Sequence, residues 1–200
     1  MEQLNDRIFL AINAGAHAPA IVVAIAVFLA NWLVPLTVLL FAVLWVRKDE
    51  RSRGELLSAT LIMLLGLGVN QLLGMLYFHP RPFMIGLGHQ YLPHPVDNSF
   101  PSDHATFMWS LGFALLMLGG LRAWAFGLIA GGLAVAWARV YVGVHFPFDM
   151  AGSLLVALAV CTLARPLHRQ VRRYLLPQCN RLYEQLIRLI HLPPALFPRH

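Results

Sequence analysis

Five long apolar runs dominate the sequence and restrict the folds that are open to it. They cover roughly residues 19–46, 56–78, 105–121, 123–143 and 147–165. An α-helix needs about 20 apolar residues to cross the hydrocarbon core of a bilayer, with a range of about 17–25. Because lipid offers no partner to backbone N–H and C=O groups, runs of this kind form helices. The sequence therefore predicts an all-α, polytopic transmembrane helix bundle of about five or six spans.

The composition supports a membrane protein. Hydrophobic residues make up 58% of the 200-residue chain and charged residues only 12%, which is about half the charged fraction of a soluble domain. In a soluble protein, the net charge of +6 would be compatible with nucleic-acid binding. Here the basic residues gather between the apolar runs, as they do on the cytoplasmic side of membrane proteins. We therefore predict that the bilayer is a partner and that nucleic acid is not.

The positions of the basic residues predict the orientation of the bundle. They fall in residues 47–53, in the turn that holds Arg122, and in the tail 165–188. With five spans these segments share one side of the membrane, and the positive-inside rule makes that side the cytoplasm. The loop 79–104 and the stretch 139–149 then meet on the outer side.

Both ends of the chain are predicted to form amphipathic helices. In residues 1–14, apolar side chains recur at every fourth position, which indicates a helix lying on the membrane or a sixth, partial span. After Pro177, leucines and isoleucine alternate with arginines and glutamine, which indicates an amphipathic helix on the inner surface, or else a solvated basic tail. We expect a membrane-embedded domain over residues 1–165 and a basic cytoplasmic tail over residues 166–200.

Side chains suited to phosphate chemistry gather in the two outer segments. The planar guanidinium groups of Arg81 and Arg139 can each donate two parallel hydrogen bonds to phosphate oxygens. His145 and Asp149 are four residues apart and would share one face of a helix. Such a carboxylate fixes the tautomer of the histidine and makes its other nitrogen a better nucleophile.

A second group of candidates surrounds the start of the third run. His104 follows Pro101, Ser102 and Asp103, so Ser102 and nearby amides would form the anion-binding N-terminus of a helix. Asp97 lies a few residues earlier and is a further candidate. The remaining loop histidines are expected to be structural or surface residues, and their spacing matches no compact metal motif, so we predict no metal. They are His79, His89 and His94.

Three segments together resemble the signature motifs of a known family. "RPF" at 81–83, "FPSDHA" at 100–105 and "ARVYVGVHFPFD" at 138–149 are similar to the three motifs of the phosphatidic acid phosphatase type 2 superfamily. Those motifs run lysine-x6-arginine-proline, proline-serine-glycine-histidine, and serine-arginine-x5-histidine-x3-aspartate. The wording of the second motif and the small size of the chain most resemble the undecaprenyl-diphosphate phosphatases of the bacitracin-resistance type.

The resemblance implies an enzyme and assigns roles to residues. Undecaprenyl diphosphate would be hydrolysed to undecaprenyl phosphate and inorganic phosphate, in a multi-pass protein of the bacterial inner membrane whose active site faces the periplasm. Arg81, Arg139 and Ser102 would bind the terminal phosphate, and His145, oriented by Asp149, would form a phosphohistidine. His104 would protonate the leaving oxygen and then activate water. No cofactor is implied.

The chain departs from the family motifs at three positions. The motif lysine falls on Gly74, the motif glycine on Asp103 and the motif serine on Ala138. We expect Asn70 or Gln71, one turn earlier, to supply a weaker phosphate donor. Asp103 is expected to pair with His104 and keep it an acid, or to position water. The small Gly74 is expected to leave room for a bulky chain or a second phosphate. The pH–rate profile is expected to be bell-shaped, with one limb from each catalytic histidine.

Other functions remain open at this point. The same chemistry would serve phosphatidate or phosphatidylglycerol phosphate, or transfer of phosphate to another lipid. Arginines alone would also suit a non-catalytic lipid-binding or transport protein, but the set of His104, His145 and Asp149 favours catalysis. The sequence predicts neither the chain-length preference nor the oligomeric state.

Overall fold

The computed structural model describes residues 1–190, and within them the chain is helical, with no strand. The helices are α1 (Glu2–Ile12), α2 (Ala20–Arg47), α3 (Glu50–Leu76), α4 (Asp103–Leu118), α5 (Arg122–Tyr141), α6 (Pro147–Ala164), α7 (Leu167–Gln170) and α8 (Leu176–Leu189). A short 3₁₀ turn lies at Pro82–Ile85, and a π-helical turn at Val171–Leu175 joins α7 to α8. The predicted all-α bundle is confirmed.

Four helices, α2, α3, α5 and α6, are long and apolar enough to cross a membrane. With α4, which has 16 residues, the described part of the chain has five, the lower of the two predicted counts. The contacts of α4 indicate that it runs the depth of the bundle. Asp103 at its start bonds to Asn70 of α3, and the Gly120 amide just past its end donates to Glu55 of α3. Between Glu55 and Asn70, α3 extends about 22 Å along its axis.

Helix α4 forms the centre of the bundle and packs against α3, α5 and α6. Its side chains Leu111 and Leu115 are buried with Leu56 and Ile62 of α3 and Leu128 of α5. The outer faces of the surrounding helices expose large apolar side chains instead, including Phe28, Leu39, Leu65, Leu133 and Leu155. A face of this kind is suited to lipid, not to water.

The two ends of the bundle differ in charge. At one end Arg53 donates to the Trp45 carbonyl oxygen over 2.7 Å, and its guanidinium lies 4.6 Å from the centre of the Tyr183 ring of α8. His168 contacts Ser58 at this same end. The basic segments 47–53 and 165–188 therefore gather here, while the loop between α3 and α4 lies at the opposite end, as the sequence predicts.

The terminal helices pack against the bundle. With 11 residues, α1 is too short to span a bilayer, and Phe9 is fully buried against Phe146. Helix α8 buries Leu176 and Ile187 and exposes Leu182 and Leu186, so it is amphipathic. Residues 191–200 of the expected tail lie outside the described residues, and the division into two parts at residue 165 stays a prediction.

Candidate active site

A cavity of about 390 Å³ opens at the polar end of the bundle. It is formed by the end of α3, the following loop, the start of α4, the end of α5 and the turn before α6. Seven predicted site residues lie on its wall: Gln71, Arg81, Asp97, Asp103, His104, Arg139 and His145. Residues more than 70 positions apart in the sequence are thus brought together.

The turn between α5 and α6 places His145 in this wall. Gly143 has a φ of 82°, which a glycine adopts without strain, and Pro147 starts α6 with a preset φ. The Asp149 carboxylate then accepts the Phe146 N–H over 2.8 Å and so caps the helix. His145 itself is only 2% exposed.

The contacts of His145 assign its tautomer. Nε2 lies 3.0 Å from Nη1 of Arg81, and Nδ1 lies 3.2 Å from Oδ2 of Asp149. Because a guanidinium can only donate, Nε2 is the unprotonated nitrogen and Nδ1 carries the hydrogen that bonds to Asp149. Burial lowers the pKa of His145 to about 3, so the ring is neutral and keeps its Nε2 lone pair.

Asp149 lies behind His145, away from the cavity wall, and is fully buried. Oδ2 also accepts a short hydrogen bond from the Ser99 hydroxyl, and Oδ1 lies 3.3 Å from Nδ1 of His79. The predicted pairing of His145 with Asp149 agrees with this geometry. Sequence reasoning missed Ser99 and expected His79 to be a structural or surface residue, because the contacts of both depend on how the loop returns to α6.

Both predicted phosphate-binding arginines are buried, and both lie with His145 on the cavity wall. Nε of Arg81 lies 2.6 Å from Oδ1 of Asp97, and its Nη atoms donate to the carbonyl oxygens of Val144 and Asn98. Nη2 of Arg139 lies 3.0 Å from Nε2 of His94. Each guanidinium is thus held in place by neighbours, which fixes its direction before any anion enters.

His94 is part of the cavity wall, in contrast to the expectation of a surface or structural residue. Burial lowers its pKa, and the charge on Arg81 lowers it further. The ring is therefore neutral at physiological pH, and Nε2 accepts the hydrogen bond from Arg139. No local motif in the sequence would have identified this contact.

The predicted pairing of Asp103 with His104 is wrong, while a role in positioning water stays a prediction. Its carboxylate accepts from the side-chain amides of Asn70 over 2.8 Å and Gln71 over 3.2 Å, and within residues 1–190 no hydrogen bond joins it to His104. Helices α3 and α4 run antiparallel, so the Asn70 and Gln71 side chains near the end of α3 lie beside Asp103 at the start of α4. The nitrogens expected to replace the motif lysine therefore bind Asp103, although Gln71 and Asp103 both remain on the cavity wall.

One side of Gly74 is filled, and another side borders the cavity. A Cβ atom at this position would lie 2.8 Å from Nδ2 of Asn98, which is too close for an ordinary contact. Gly74 nevertheless lies on the cavity wall. Room there for a bulky chain or a second phosphate therefore stays a prediction.

Ser102 and His104 differ in their access to the cavity. Ser102 is buried at the N-cap position of α4, outside the cavity wall, and its Oγ has no hydrogen-bond partner among the described residues. His104 lies on the wall. A role for Ser102 in phosphate binding stays a prediction.

The membrane-length helices define an integral membrane protein. The buried histidine–aspartate pair and the two arginines at one end of the bundle make the cavity there suited to an anion. Residues 55–173 match the PAP2 superfamily. This is more than half of the chain, and it contains every predicted site residue. The chain therefore belongs to the PAP2 superfamily.

Two relatives match over most of their length. The chain is 36% identical over 166 residues to YbjG of Escherichia coli (strain K12), covering 82% of this chain and 83% of that protein. It is 34% identical over 157 residues to undecaprenyl-diphosphatase BcrC of Bacillus subtilis (strain 168), covering 78% and 80%. The predicted resemblance to this family is confirmed.

The fold has a counterpart among solved structures. The transmembrane PAP2-type phosphatidylglycerolphosphate phosphatase from Bacillus subtilis superimposes with a TM-score of 0.58 at 20% identity, covering 86% of this chain and 88% of that chain. At this identity the likeness supports the fold alone. The all-α membrane architecture is therefore shared with a membrane phosphatase.

Proposed function

We propose that the chain hydrolyses a lipid diphosphate through a phosphohistidine at His145. The observation that carries this proposal is the orientation of one imidazole. Its unprotonated Nε2 faces an arginine inside the cavity, while its Nδ1–H is held by a buried carboxylate. A neutral, oriented and desolvated imidazole of this kind is a nucleophile ready for in-line attack.

In the first step, the terminal phosphate enters the cavity and takes hydrogen bonds from Arg139 and Arg81. Nη1 of Arg81 turns from Nε2 of His145 to a phosphoryl oxygen, which frees the Nε2 lone pair for attack. Nε2 of His145 attacks the phosphorus, and the bond from phosphorus to the bridging oxygen breaks. Asp149 stabilises the positive charge that develops on the imidazole, and the arginines stabilise the charge on the phosphoryl oxygens. His104 gives a proton to the departing oxygen.

In the second step, a water molecule enters the cavity in place of the lipid monophosphate released in the first step. His104, now neutral, removes a proton from this water, which attacks the phosphorus and breaks the bond to Nε2. Inorganic phosphate leaves, and His145 returns to its starting tautomer. The lipid leaves as its monophosphate.

We infer that the lipid is undecaprenyl diphosphate. The support is the name of BcrC from Bacillus subtilis, to which most of this chain aligns at 34% identity, together with the motif wording at residues 100–105. The product, undecaprenyl phosphate, would return to cell-wall synthesis as the lipid carrier. A contribution to bacitracin resistance belongs to the same proposal.

We further propose that the chain lies in the bacterial inner membrane with its cavity facing the periplasm. The basic segments gather at the end of the bundle opposite the cavity. Positive charge of this kind stays on the cytoplasmic side. The cavity would therefore receive substrate from the outer leaflet.

A substrate panel tests the proposed function. Purified protein is assayed for phosphate release from undecaprenyl diphosphate, phosphatidate and phosphatidylglycerol phosphate under equal detergent conditions. The proposal expects the highest kcat/KM with undecaprenyl diphosphate. Preference for a glycerol-based monophosphate would reject the carrier-lipid assignment, and absence of release from every lipid would reject hydrolysis and favour a binding or transport role.

A further inference from the structure

Asp149 is approached by a second histidine from the side opposite to His145. Nδ1 of His79 lies 3.3 Å from Oδ1, while Nδ1 of His145 lies 3.2 Å from Oδ2. The carboxylate is therefore held between two imidazoles, one on each oxygen. In the proposed mechanism only one of these imidazoles, that of His145, has a role.

The two facing atoms have no other partner among the described residues. Nδ1 of His79 and Oδ1 of Asp149 are both buried, and neither makes a well-aligned hydrogen bond within residues 1–190. A buried carboxylate oxygen without a donor is costly. A hydrogen on Nδ1 and a small rotation of the ring would satisfy both atoms at once, so the pair is arranged as donor and acceptor.

The backbone holds His79 in this position. Its N–H donates to Oδ1 of Asn98 over 2.7 Å, and its carbonyl oxygen accepts the Ser99 N–H over 2.8 Å. Ser99 is the residue whose hydroxyl donates to the other oxygen of Asp149. His79 and Ser99, which approach different oxygens of the carboxylate, are thus fixed by contacts within the same loop.

His79 does not belong to the substrate cavity. It lines two smaller cavities of about 190 and 170 Å³ on the side of α1, and the larger of them also reaches Asp149. The charged and titratable groups that face His79 are Asp149 of α6, Glu2 and Asp6 of α1, the amino terminus of Met1 and the neighbouring Tyr77. His79 can therefore exchange a proton without contact with the lipid phosphate.

We propose that His79 is a positioning residue that holds the second oxygen of Asp149 and sets how much negative charge this carboxylate offers to His145. Neutral His79 donates one hydrogen bond and leaves Asp149 fully charged. Protonated His79 forms an ion pair that draws this charge away from His145. The inference rests on the proposed phosphohistidine chemistry, because its effect passes through the nucleophile.

The proposal changes the expected pH dependence. The pKa of His145 is too low for its protonation to form a limb near neutral pH. The Asp149 carboxylate, 3.3 Å away, raises the pKa of His79, and burial opposes this less strongly. His79 is therefore protonated as the pH falls through this raised value, and the acid limb of kcat belongs to it, not to His145 as the sequence predicts.

Two substitutions separate this role from a purely structural one. His79→Gln keeps an N–H donor but cannot titrate, so we expect kcat at alkaline pH within about threefold of wild type and an acid limb that disappears. His79→Phe keeps the bulk but leaves Oδ1 of Asp149 without a donor, so kcat should fall about 10- to 100-fold while KM changes little. His89→Gln is the control, since the His89 side chain is exposed and only its backbone contacts Asn13.

The assay uses the lipid that the wild-type protein hydrolyses fastest, across a pH series. A wild-type acid limb in His79→Gln, or wild-type kcat in His79→Phe, would overturn the inference. If His79→Phe does not fold, as judged by elution and melting in detergent, the pH profile of His79→Gln decides alone. Lack of activity in the wild-type protein would reject the proposed function instead.

Discussion

The neutral state of His145, the proposed nucleophile, also contributes to the stability of the protein. The ordinary histidine pKa is about 6.5, and burial lowers it to about 3 in the folded chain. Between these values the unfolded chain binds a proton that the folded chain does not. The stabilising contribution of neutral His145 is thus fully present above about pH 6.5 and is lost as the pH falls towards about 3.

We therefore predict that the melting temperature in detergent falls between about pH 7 and about pH 5, and that His145→Gln reduces this loss. The measurement is the difference in pH slope between the two proteins, because other groups titrate equally in both. His89→Gln, which changes an exposed histidine, should keep the wild-type slope. A slope that is the same in His145→Gln and wild type would contradict a buried neutral imidazole.

Part of the site could be predicted from residue spacing, and part could not. His145 and Asp149 lie one helical turn apart, so their pairing follows from local geometry. The loop between α3 and α4 brings His79, His94 and Ser99 to the site. Residue spacing does not predict the path of such a loop. The partners of Asp103 were not predicted, because its sequence neighbour His104 was a more obvious partner than the α3 amides 32 and 33 positions earlier.

At the scale of elements, the loop between α3 and α4 depends on a close approach at Gly74. Asn98 lies against this glycine, and its oxygen atoms bind the His79 N–H and the Arg81 guanidinium. A methyl group at position 74 would push Asn98 away and disturb both contacts. Restoring the lysine of the family motif would disturb them further.

We predict that Gly74→Ala lowers kcat about tenfold or more, because a displacement of about 1 Å in a catalytic group has effects of this size. Gly68→Ala is the matched control in the same helix, where an added Cβ meets nothing within 4 Å. It should retain wild-type kcat and stability. Equal kcat in Gly74→Ala and wild type would contradict the packing of Asn98 against α3.

The observed ends of the helices show which part of a helix hydropathy can predict. The second apolar run begins at about residue 56, yet α3 begins at Glu50, because its first turns are helical but polar. Asp49 caps this start by accepting the Ser52 N–H over 3.0 Å. Apolar runs therefore predict the membrane-embedded depth of a helix, while its true ends depend on capping residues.

At the scale of the whole molecule, the two ends of the bundle should face different compartments. We predict that Gln90→Cys reacts with a membrane-impermeant thiol reagent in intact cells and that Glu50→Cys does not, because the basic segments stay inside. Both positions are exposed. The background should carry Cys179→Ser, since Cys179 is half-buried while Cys161 is buried.

The outcome of this labelling bears on the carrier-recycling role. Labelling of Glu50→Cys alone would place the cavity in the cytoplasm and remove the source of substrate in the outer leaflet. Lysed cells provide the control, because both cysteines should then react.

The central claim is that the terminal phosphate is transferred to His145 before it is released. The most direct measurement is rapid acid-sparing quench of purified protein mixed with lipid diphosphate radiolabelled in its terminal phosphate, followed by peptide mapping. We expect an acid-labile label on His145 in wild type and none in His145→Gln, which should also lose turnover. Continued phosphate release by His145→Gln, or a label on another residue, would contradict the mechanism.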